Sequence, residues 1–230
     1  MHQEQNIGLR LHVVNGENLE MQSPCLVIAG YTGSDPDSVA RHIDELQAIG
    51  VAPPPSVPTF YRLPSDLLTT NETVATVGDR TSGEAEPVLI RHAGQYYIGI
   101  GSDHTDREIE RLSIHEAKAA CQKPLGPVVR HIGSSPQVES WHRVQLRSWV
   151  DEELYQNGTL TDIRNPDDIL DKLGALPMSG DSTDLVLFLG TIPITGGTFH
   201  YGDSWTVELL FPDGQSLRHS YSVRKENNHA

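Results

Sequence analysis

The chain has 230 residues, of which 37% are hydrophobic and 21% are charged. A chain of this length and composition can bury a sizeable core, and we expect one domain over residues 1–230 rather than two tightly joined ones. Its formal net charge of −14 excludes a nucleic-acid backbone or an anionic membrane as the main partner, because either would be repelled over much of the surface.

The cysteines and the apolar segments predict the cellular compartment. Cys25 and Cys121 are far apart and lack a C-x-x-C spacing, so neither a disulfide framework nor a zinc site is predicted. Residues 1–10 lack the basic and apolar segments of a signal peptide, and no stretch approaches the roughly 20 apolar residues of a membrane span. We therefore expect a cytoplasmic protein that does not bind membranes.

The first fifty residues predict paired strands followed by one helix. Alternating apolar residues at 9–14 and an apolar run at 25–29 are typical of strands. The sequence Asp35-Pro36-Asp37 is typical of a helix start, and this helix is expected to end near residue 49. It places His42 and Glu45 one turn apart, where their side chains can meet.

A proline-rich stretch at residues 52–58 follows this helix. It is too rich in proline for a helix or a central strand and predicts a stiff extended connector. We expect N-terminal strands within residues 1–29, a lid helix with its connector at 30–65, and a β-rich core at 66–230. The lid should be less protected from hydrogen exchange than the sheet and should close on a ligand.

Three carboxylates lie close together in the predicted core. Strands are predicted at residues 73–78, 84–91 and 95–101, the last two joined by a turn at Ala93-Gly94. Side chains alternate along a strand, so Glu84 and Glu86 point to the same face, and Asp103 follows the next strand. Hard divalent cations prefer carboxylate oxygens, so these side chains predict a metal site. The alternative for the glutamates is solvated charge on an exposed strand.

The rest of the chain predicts two helices and several strands. A helix is expected at residues 106–120, ended by Pro124-Leu125-Gly126-Pro127, and a short one at 166–173. Strand patterns occur at residues 128–129, 144–150, 185–189, 205–211 and 217–223.

These motifs occur in the order found in the fumarylacetoacetate hydrolase superfamily, and the chain resembles its members over roughly residues 30–210. The matching segments are Gly30-Tyr31, His42-Ile43-Asp44-Glu45-Leu46, Phe60-Tyr61-Arg62-Leu63-Pro64-Ser65, Glu84-Ala85-Glu86, residues 102–108, Lys118 with Pro124-Leu125-Gly126-Pro127, Gln156 with Gly158-Thr159, Gly190-Thr191-Ile192-Pro193, and residues 202–208. Arg62 stands where relatives have Lys, and Ser102 stands where they have Asn. These departures concern the substrate more than the metal.

The resemblance implies an α+β, β-rich fold, a mixed-sheet roll with few short helices. It also implies a Mg²⁺ or Mn²⁺ ion, a homodimer, and chemistry on a small-molecule 2-keto acid. Asp103 is favoured as the third metal ligand because it matches the relatives' Asp. His104 and Asp106 are rival ligands, although a lone His beside an Asp is more often a loop residue.

The remaining candidate residues would act on the substrate. His42 oriented by Glu45 is suited to activate water near neutral pH, although the two can also be an ordinary helix-surface pair. Lys118 would stabilise an enolate, unless it is an ordinary exposed lysine. Further candidates for substrate binding are Arg62, Gln156 and Thr191, the last of which alternatively caps a turn.

The predicted reaction is hydrolytic cleavage of a C–C bond in a 2-keto acid or acylpyruvate-like substrate. The same site would also suit a decarboxylase, a hydratase or an isomerase. A non-catalytic protein that binds a metal and a keto acid is the alternative from another class. The presence of both His42 and Glu45 favours an enzyme, since binding alone needs neither.

Overall fold

Two β-sheets account for most of the computed structural model, which describes residues 8–48, 53–174 and 184–225. The strands are β1 (Leu9–Val13), β2 (Asn18–Met21), β3 (Cys25–Gly30), β4 (Thr59–Leu63), β5 (Leu68–Thr69), β6 (Thr73–Thr76), β7 (Thr81–Ser82), β8 (Ala85–His92), β9 (Gln95–Ser102), β10 (Thr105–Asp106), β11 (Lys123–Pro124), β12 (Val128–Gly133), β13 (Gln145–Val150), β14 (Glu153–Thr159), β15 (Leu185–Phe188), β16 (Ser204–Leu210) and β17 (Ser216–Lys225). The helices are α1 (Pro36–Ala48), α2 (Arg107–Glu110), α3 (Ile114–Ala119) and α4 (Pro166–Gly174). The predicted α+β, β-rich fold with few short helices is confirmed.

The larger sheet has eight strands in the order β2-β1-β12-β9-β8-β15-β3-β4. It is mixed, because β15 runs parallel to β3 and antiparallel to β8. The smaller sheet has five strands in the order β14-β13-β16-β17-β6, and only the pair of β17 and β6 is parallel. Two short ribbons, β10 with β7 and β11 with β5, join segments that precede and follow the β8–β9 hairpin.

Both faces of the larger sheet are buried, in separate apolar clusters. Leu89 on one face packs in the same cluster as Val207 of the smaller sheet, so this cluster lies between the sheets. Val88 and Phe188 belong to the cluster on the other face. Because β8 is covered on both sides, its sequence Val88-Leu89-Ile90 is continuously apolar instead of alternating with polar residues.

The β8–β9 hairpin forms as predicted, with its turn at Ala93-Gly94. Both turn residues have positive φ, 49° and 75°, as the tight two-residue turns of hairpins require. The register places Ala85 opposite Ser102 and Glu86 opposite Gly101. The open end of the hairpin therefore brings the residues around Glu86 beside those that follow β9.

The prediction of one helix at residues 106–120 is wrong, because the structure divides this segment. Asp106 ends β10 and caps α2, since its side chain accepts hydrogen bonds from the backbone N–H groups of Glu108 and Ile109. Ser113 is extended, with φ of −156°, and its side chain accepts a hydrogen bond from the Glu116 N–H to begin α3. Two capping residues inside one helical pattern thus give two short helices.

The sequence patterns did not predict β14, which follows a turn at Asp151-Glu152. These residues have φ of 47° and 70°, a conformation that favours glycine or asparagine, so the sequence carried no turn signal. The Asp151 side chain stabilises the turn by accepting hydrogen bonds from the backbone N–H groups of Asp203 and Ser204, at 3.1 and 2.9 Å.

Helix α1 confirms the predicted helix after Asp35, whose side chain accepts a hydrogen bond of 3.1 Å from the Asp37 N–H. None of the helices in the described part of the chain is long and apolar enough to cross a membrane.

Candidate functional site

Glu84, Glu86 and Asp103 meet at the open end of the β8–β9 hairpin. Glu84 immediately precedes β8 and Asp103 immediately follows β9. The Asp103 N–H donates a hydrogen bond of 2.9 Å to the Glu84 carbonyl, which extends the hairpin pairing by one step. Carboxylates separated by about twenty residues in the sequence therefore lie together in space.

Glu86 is a buried carboxylate that accepts a hydrogen bond from the backbone. Its side chain is almost fully shielded from solvent, and Oε2 accepts a hydrogen bond of 2.9 Å from the Gly190 N–H. Burial, and then the nearby negative charge of Asp103, raise the pKa of Glu86 well above its usual range. The positive charge of Lys118 and the Gly190 N–H oppose this rise in pKa, and within the described residues no ion pair to Glu86 is found.

Gly190 can approach Glu86 because it has no side chain. Its φ is +93°, a conformation that other residues rarely adopt. A Cβ atom at this position would lie 2.0 Å from Thr32 Oγ1, well inside contact distance. The glycine of the Gly190-Thr191 motif is therefore required for the backbone to reach the carboxylate.

Asp103 forms ion pairs with two buried lysines. Its Oδ2 accepts a hydrogen bond from Lys118, and its Oδ1 lies 3.1 Å from Lys123 Nζ. Lys123 also donates a hydrogen bond of 2.5 Å to the His104 carbonyl. Although burial alone would raise the pKa of Asp103, the two ammonium groups hold it below its usual range. Lys118 is thus a buried member of the site, and the alternative that it is an ordinary exposed lysine is wrong.

Glu84 forms an ion pair with Arg107, whose side chain is buried. Its Oε2 lies 3.2 Å from Arg107 Nη2, and Arg107 Nη1 donates to Glu110 at 2.8 Å. Arg107 Nε donates a hydrogen bond of 2.6 Å to Ser82 Oγ, and the Phe199 ring covers the guanidinium at 4.1 Å. Burial opposes the charge of Arg107, but Glu84 and Glu110 raise the pKa above its usual range.

Arg107 and Lys123 are site residues that were not predicted from the sequence. Arg107 lies in the segment 102–108 that matched the relatives' motif, so the match could have indicated that Arg107 belongs to the site. Lys123 lies between Gln122 and a proline and shows no pattern that distinguishes it from a surface lysine. Its importance follows only from tertiary structure, which leaves its side chain with 0% exposure.

The two rival metal ligands are committed to other contacts. His104 is buried, and its Nδ1 and Nε2 lie 3.0 Å from Tyr221 Oη and from Thr81 Oγ1. Burial, and then the charges of Lys123 and Arg107, lower the pKa of His104 to about 3, so the ring is neutral. Asp106 caps α2. The choice of Asp103 over either neighbour as the third metal ligand stays a prediction.

His104 makes the stability of the protein depend on pH. Its pKa falls from 6.5 to about 3 on folding, so the unfolded chain binds one more proton between these values. We expect a loss of up to about 1.4 kcal/mol per pH unit as the pH falls below 6.5. Urea unfolding at pH 7, 6 and 5 checks this. The His104→Asn variant should be less stable at pH 7 but should have a flatter pH profile, and equal slopes would contradict the prediction.

Gln156 and Thr191 are held by the protein itself. Gln156 Oε1 accepts hydrogen bonds from the Ala85 N–H at 2.9 Å and from Ser148 Oγ at 2.8 Å, while Nε2 donates to Thr191 Oγ1 at 2.7 Å. Thr191 Oγ1 in turn donates to the Ala85 carbonyl at 2.6 Å. The Gln156 and Thr191 side chains thus connect the smaller sheet to the start of β8. Arg62 lies half-buried in β4, and its carbonyl accepts a hydrogen bond of 3.1 Å from His115.

The backbone of α1 places His42 and Glu45 three residues apart on one helix, as predicted. Their side chains lie outside the described part of the structure. Their predicted contact and their predicted role in activating water stay predictions.

The chemistry of the three carboxylates fits a hard dication. Among the described residues, no three His, Cys, Asp or Glu side chains are arranged to hold a metal ion together. In this arrangement Asp103 pairs with lysines and Glu84 pairs with Arg107. Among the described residues, however, Glu86 accepts a hydrogen bond from one backbone donor, the Gly190 N–H, and carboxylate oxygens are the ligands that Mg²⁺ and Mn²⁺ prefer. Glu84, Glu86 and Asp103 stay the predicted ligands of such an ion.

Comparisons with solved structures agree with the fold. Fumarylpyruvate hydrolase from Pseudomonas aeruginosa, solved with Mn²⁺ and pyruvate, is 18% identical with a TM-score of 0.64, over 98% of this chain and 99% of that one. The 5-carboxymethyl-2-hydroxymuconate delta-isomerase from Mycobacterium smegmatis is 16% identical with a TM-score of 0.58, over 93% and 87% of the chains. A 2-keto-3-deoxy-D-arabinonate dehydratase, solved with magnesium and 2,5-dioxopentanoate, is 14% identical with a TM-score of 0.59, over 92% and 78%.

The sequence comparisons give the family. A search of curated proteins found no match. The family model described as "Protein of unknown function (DUF2848)" matches residues 29–221, which is most of the chain. The chain therefore belongs to the DUF2848 family, and it has the fold of the fumarylacetoacetate hydrolase superfamily that its motifs resemble.

Proposed function

We propose that this protein is a metal-dependent hydrolase that cleaves a C–C bond in a 2-keto acid or acylpyruvate-like substrate. The observation that carries the proposal is the buried cluster of Glu86, Asp103 and Lys118 at the open end of the hairpin. Support comes from two proteins of the same fold, which were solved with Mn²⁺ and pyruvate and with magnesium and 2,5-dioxopentanoate. Both of these organic ligands are small oxo compounds.

In this proposal Glu84, Glu86 and Asp103 hold Mg²⁺ or Mn²⁺. When bound, the ion would act as a Lewis acid toward the oxygens of a 2-keto acid. Lys118 provides a positive charge that is buried away from bulk water. Electrostatic interactions are stronger in the protein interior than in water. Its ammonium group would stabilise the negative charge that develops on the 2-oxygen when the C–C bond breaks.

The proposed hydrolysis needs a base, and we assign this role to His42 oriented by Glu45. The oxygen of water would bond to the distal acyl carbon while His42 takes a proton from that water. The electron pair of the broken C–C bond passes to the keto-acid fragment as an enolate. Protonation of the enolate carbon then gives a 2-keto acid, and the other fragment leaves as a carboxylic acid.

The His42→Ala variant should keep metal binding and lose turnover by about 10² to 10⁴-fold, the usual range for a general base. Glu45→Gln should lose less, because the base itself remains. Steady-state rates measure the turnover of both variants, and calorimetric titration with Mn²⁺ measures their metal binding. Unchanged turnover in His42→Ala would show that another group activates the water.

Arg62, Thr191 and Gln156 are proposed to shape the end of the site that binds the substrate carboxylate. Since Gln156 and Thr191 hold each other and the start of β8, they would act mainly by fixing the Gly190-Thr191 backbone close to Glu86. Arg62 would contribute positive charge where the relatives have lysine. The homodimer and the cytoplasmic location stay predictions.

Ultraviolet absorbance tests the proposed reaction directly. A panel of acylpyruvates, saturated 2-keto acids and their enols is incubated with the protein, with and without Mg²⁺. Loss of the acylpyruvate absorbance with release of a carboxylic acid supports hydrolysis. Release of carbon dioxide would assign the site to a decarboxylase, addition of water to a hydratase, and a simple change of tautomer to an isomerase. Binding without any product would identify a non-catalytic protein.

A further inference from the structure

Tyr61 lies beside the buried lysine and carboxylate cluster, and no role has been given to it above. It is half-buried in β4, opposite Ile28 of β3. The Lys118 ammonium nitrogen lies 5.7 Å from the centre of its ring. The missing Cβ of Gly30 leaves room for the ring, because a Cβ there would lie 3.2 Å from Tyr61 Cε2. The ring is therefore accommodated against β3 and next to Lys118.

The charged and polar groups around Tyr61 are those of the site. Lys118, Asp103 and Glu110 are close enough to act on its phenol, and so is the phenol of Tyr31. Burial raises the pKa of Tyr61 to about 12, although the positive charge of Lys118 opposes this shift, so the phenol is a neutral donor. Tyr31 has a φ of +56°, a strained conformation of the kind that clusters at functional sites.

The hydroxyl group of Tyr61 forms no hydrogen bond with any residue that the structure describes. Tyr61 is only half-buried, in contrast to the buried Tyr221, which donates to Ser102 Oγ at 2.8 Å. A half-buried phenol without a hydrogen-bond partner among the described residues, next to a buried ammonium group, is suited to donate to an oxygen of a bound molecule.

We propose that Tyr61 is a further catalytic residue, which donates a hydrogen bond to the 2-oxygen of the substrate beside the Lys118 ammonium group. This inference rests on the proposed function, because it names a group that recognises the keto acid. The phenol keeps its proton throughout, and no bond to Tyr61 forms or breaks. Its hydrogen bond becomes stronger as negative charge develops on that oxygen, so it stabilises the transition state more than the ground state.

Two probes of the same size separate these contributions. Pyruvate has a neutral carbonyl oxygen at carbon 2, whereas oxalate has a charged carboxylate oxygen in the corresponding position. A hydrogen bond to a neutral oxygen contributes a few-fold in affinity, and one to a charged oxygen contributes about 10 to 100-fold. Tyr61→Phe removes only the hydroxyl group and keeps the ring against Lys118.

Calorimetric titrations of the full chain with Mg²⁺ and each probe give the test. Tyr61→Phe should bind pyruvate less tightly by about twofold to tenfold and oxalate less tightly by about 10 to 100-fold. On a substrate that the wild type cleaves, kcat should fall by about 10² to 10³-fold, with a smaller change in KM. Tyr96→Phe is the matched control, because Tyr96 is a half-buried tyrosine near the start of β9, whereas the site lies at the end of that strand. It should behave as wild type in every titration.

The outcomes separate this inference from the proposed function. If the wild type binds both probes and Tyr61→Phe binds them as Tyr96→Phe does, Tyr61 is only part of the wall of the site and the inference is overturned. An equal loss for pyruvate and oxalate would also overturn it, since that indicates a change of shape rather than a lost donor. If the wild type binds neither probe with Mg²⁺, the proposed function is overturned and this inference with it.

Discussion

Replacing Glu86 should abolish metal binding and turnover while the fold survives. Glu86→Ala and Glu86→Gln each remove one of the three carboxylates proposed to hold Mg²⁺ or Mn²⁺, and with it part of the negative charge that attracts the ion. Glu86→Gln is the sharper variant, because its amide oxygen can still accept the hydrogen bond from the Gly190 N–H. We expect no measurable heat of Mn²⁺ binding and a loss of turnover below detection.

Although Glu86→Gln should lose metal binding and turnover, it should not lose stability in the absence of metal. The pKa of Glu86 is raised in the folded state, so the folded protein binds more protons than the unfolded chain above the usual glutamate pKa. The contribution of Glu86 to the stability of the wild type therefore falls as the pH rises through this window, opposite in sign to the contribution of His104, and Glu86→Gln removes the Glu86 contribution. At neutral pH, without metal, the variant should unfold at a urea concentration equal to or higher than the wild type.

Glu208→Gln is the matched control for this experiment. Glu208 lies in β16, its side chain has 14% exposure, and it pairs with Arg218 at 3.7 Å and with Arg147 at 4.0 Å. Its replacement should leave metal binding unchanged. Wild-type Mn²⁺ affinity in Glu86→Gln would show that the ion is held by other residues and that the proposed metal site is misplaced.

The carboxylates of this site could be found from the sequence because they depend on local structure. The segments 84–91 and 95–101 were predicted as strands, and the predicted Ala93-Gly94 turn joins them in the structure as the β8–β9 hairpin. Once the hairpin is known, Glu84, Glu86 and Asp103 must lie at the same end of it. Short-range pairing rules thus carry the prediction from sequence to site.

The cations of the site could not be found from local structure, and Lys118 was predicted only through the family resemblance. Lys118 and Lys123 approach Asp103 only because α3 and β11 fold back beside the hairpin, and no periodicity in the sequence distinguishes a buried lysine from a surface one. The break between α2 and α3 was missed for a related reason. Ser113 caps α3 in the middle of a pattern that is helical on both sides, so the pattern alone predicts one helix.

The two lysines that contact Asp103 should differ in what they contribute. Lys123 has 0% exposure, and its second contact is the His104 carbonyl, which is a structural group. Lys118 has 10% side-chain exposure, and its charge acts on Glu86 and lies beside the Tyr61 ring. One substitution, lysine to methionine, can therefore be made at two positions around the same carboxylate. Methionine keeps most of the apolar stem and removes the charge.

Lys123→Met should mainly lower stability. It leaves the His104 carbonyl and Asp103 Oδ1 buried without their donor, and breaking a buried ion pair from one side costs about 3–5 kcal/mol. Since Asp103 keeps Lys118, turnover of the folded fraction should fall by less than about tenfold, a loss of under about 1.4 kcal/mol in transition-state stabilisation. Urea unfolding with steady-state rates, measured on the same preparation, gives both values.

Lys118→Met should mainly lower turnover, by about 10² to 10³-fold, because it removes the charge proposed to stabilise the enolate. Its cost in stability should be nearer about 1–3 kcal/mol, since Asp103 keeps the fully buried Lys123. Metal affinity should not fall, because removing a positive charge beside Glu86 and Asp103 does not weaken their attraction for a cation. Equal losses of stability and of turnover in the two variants would mean that the lysines form one structural unit, and Lys118 would then lose its proposed role in the reaction.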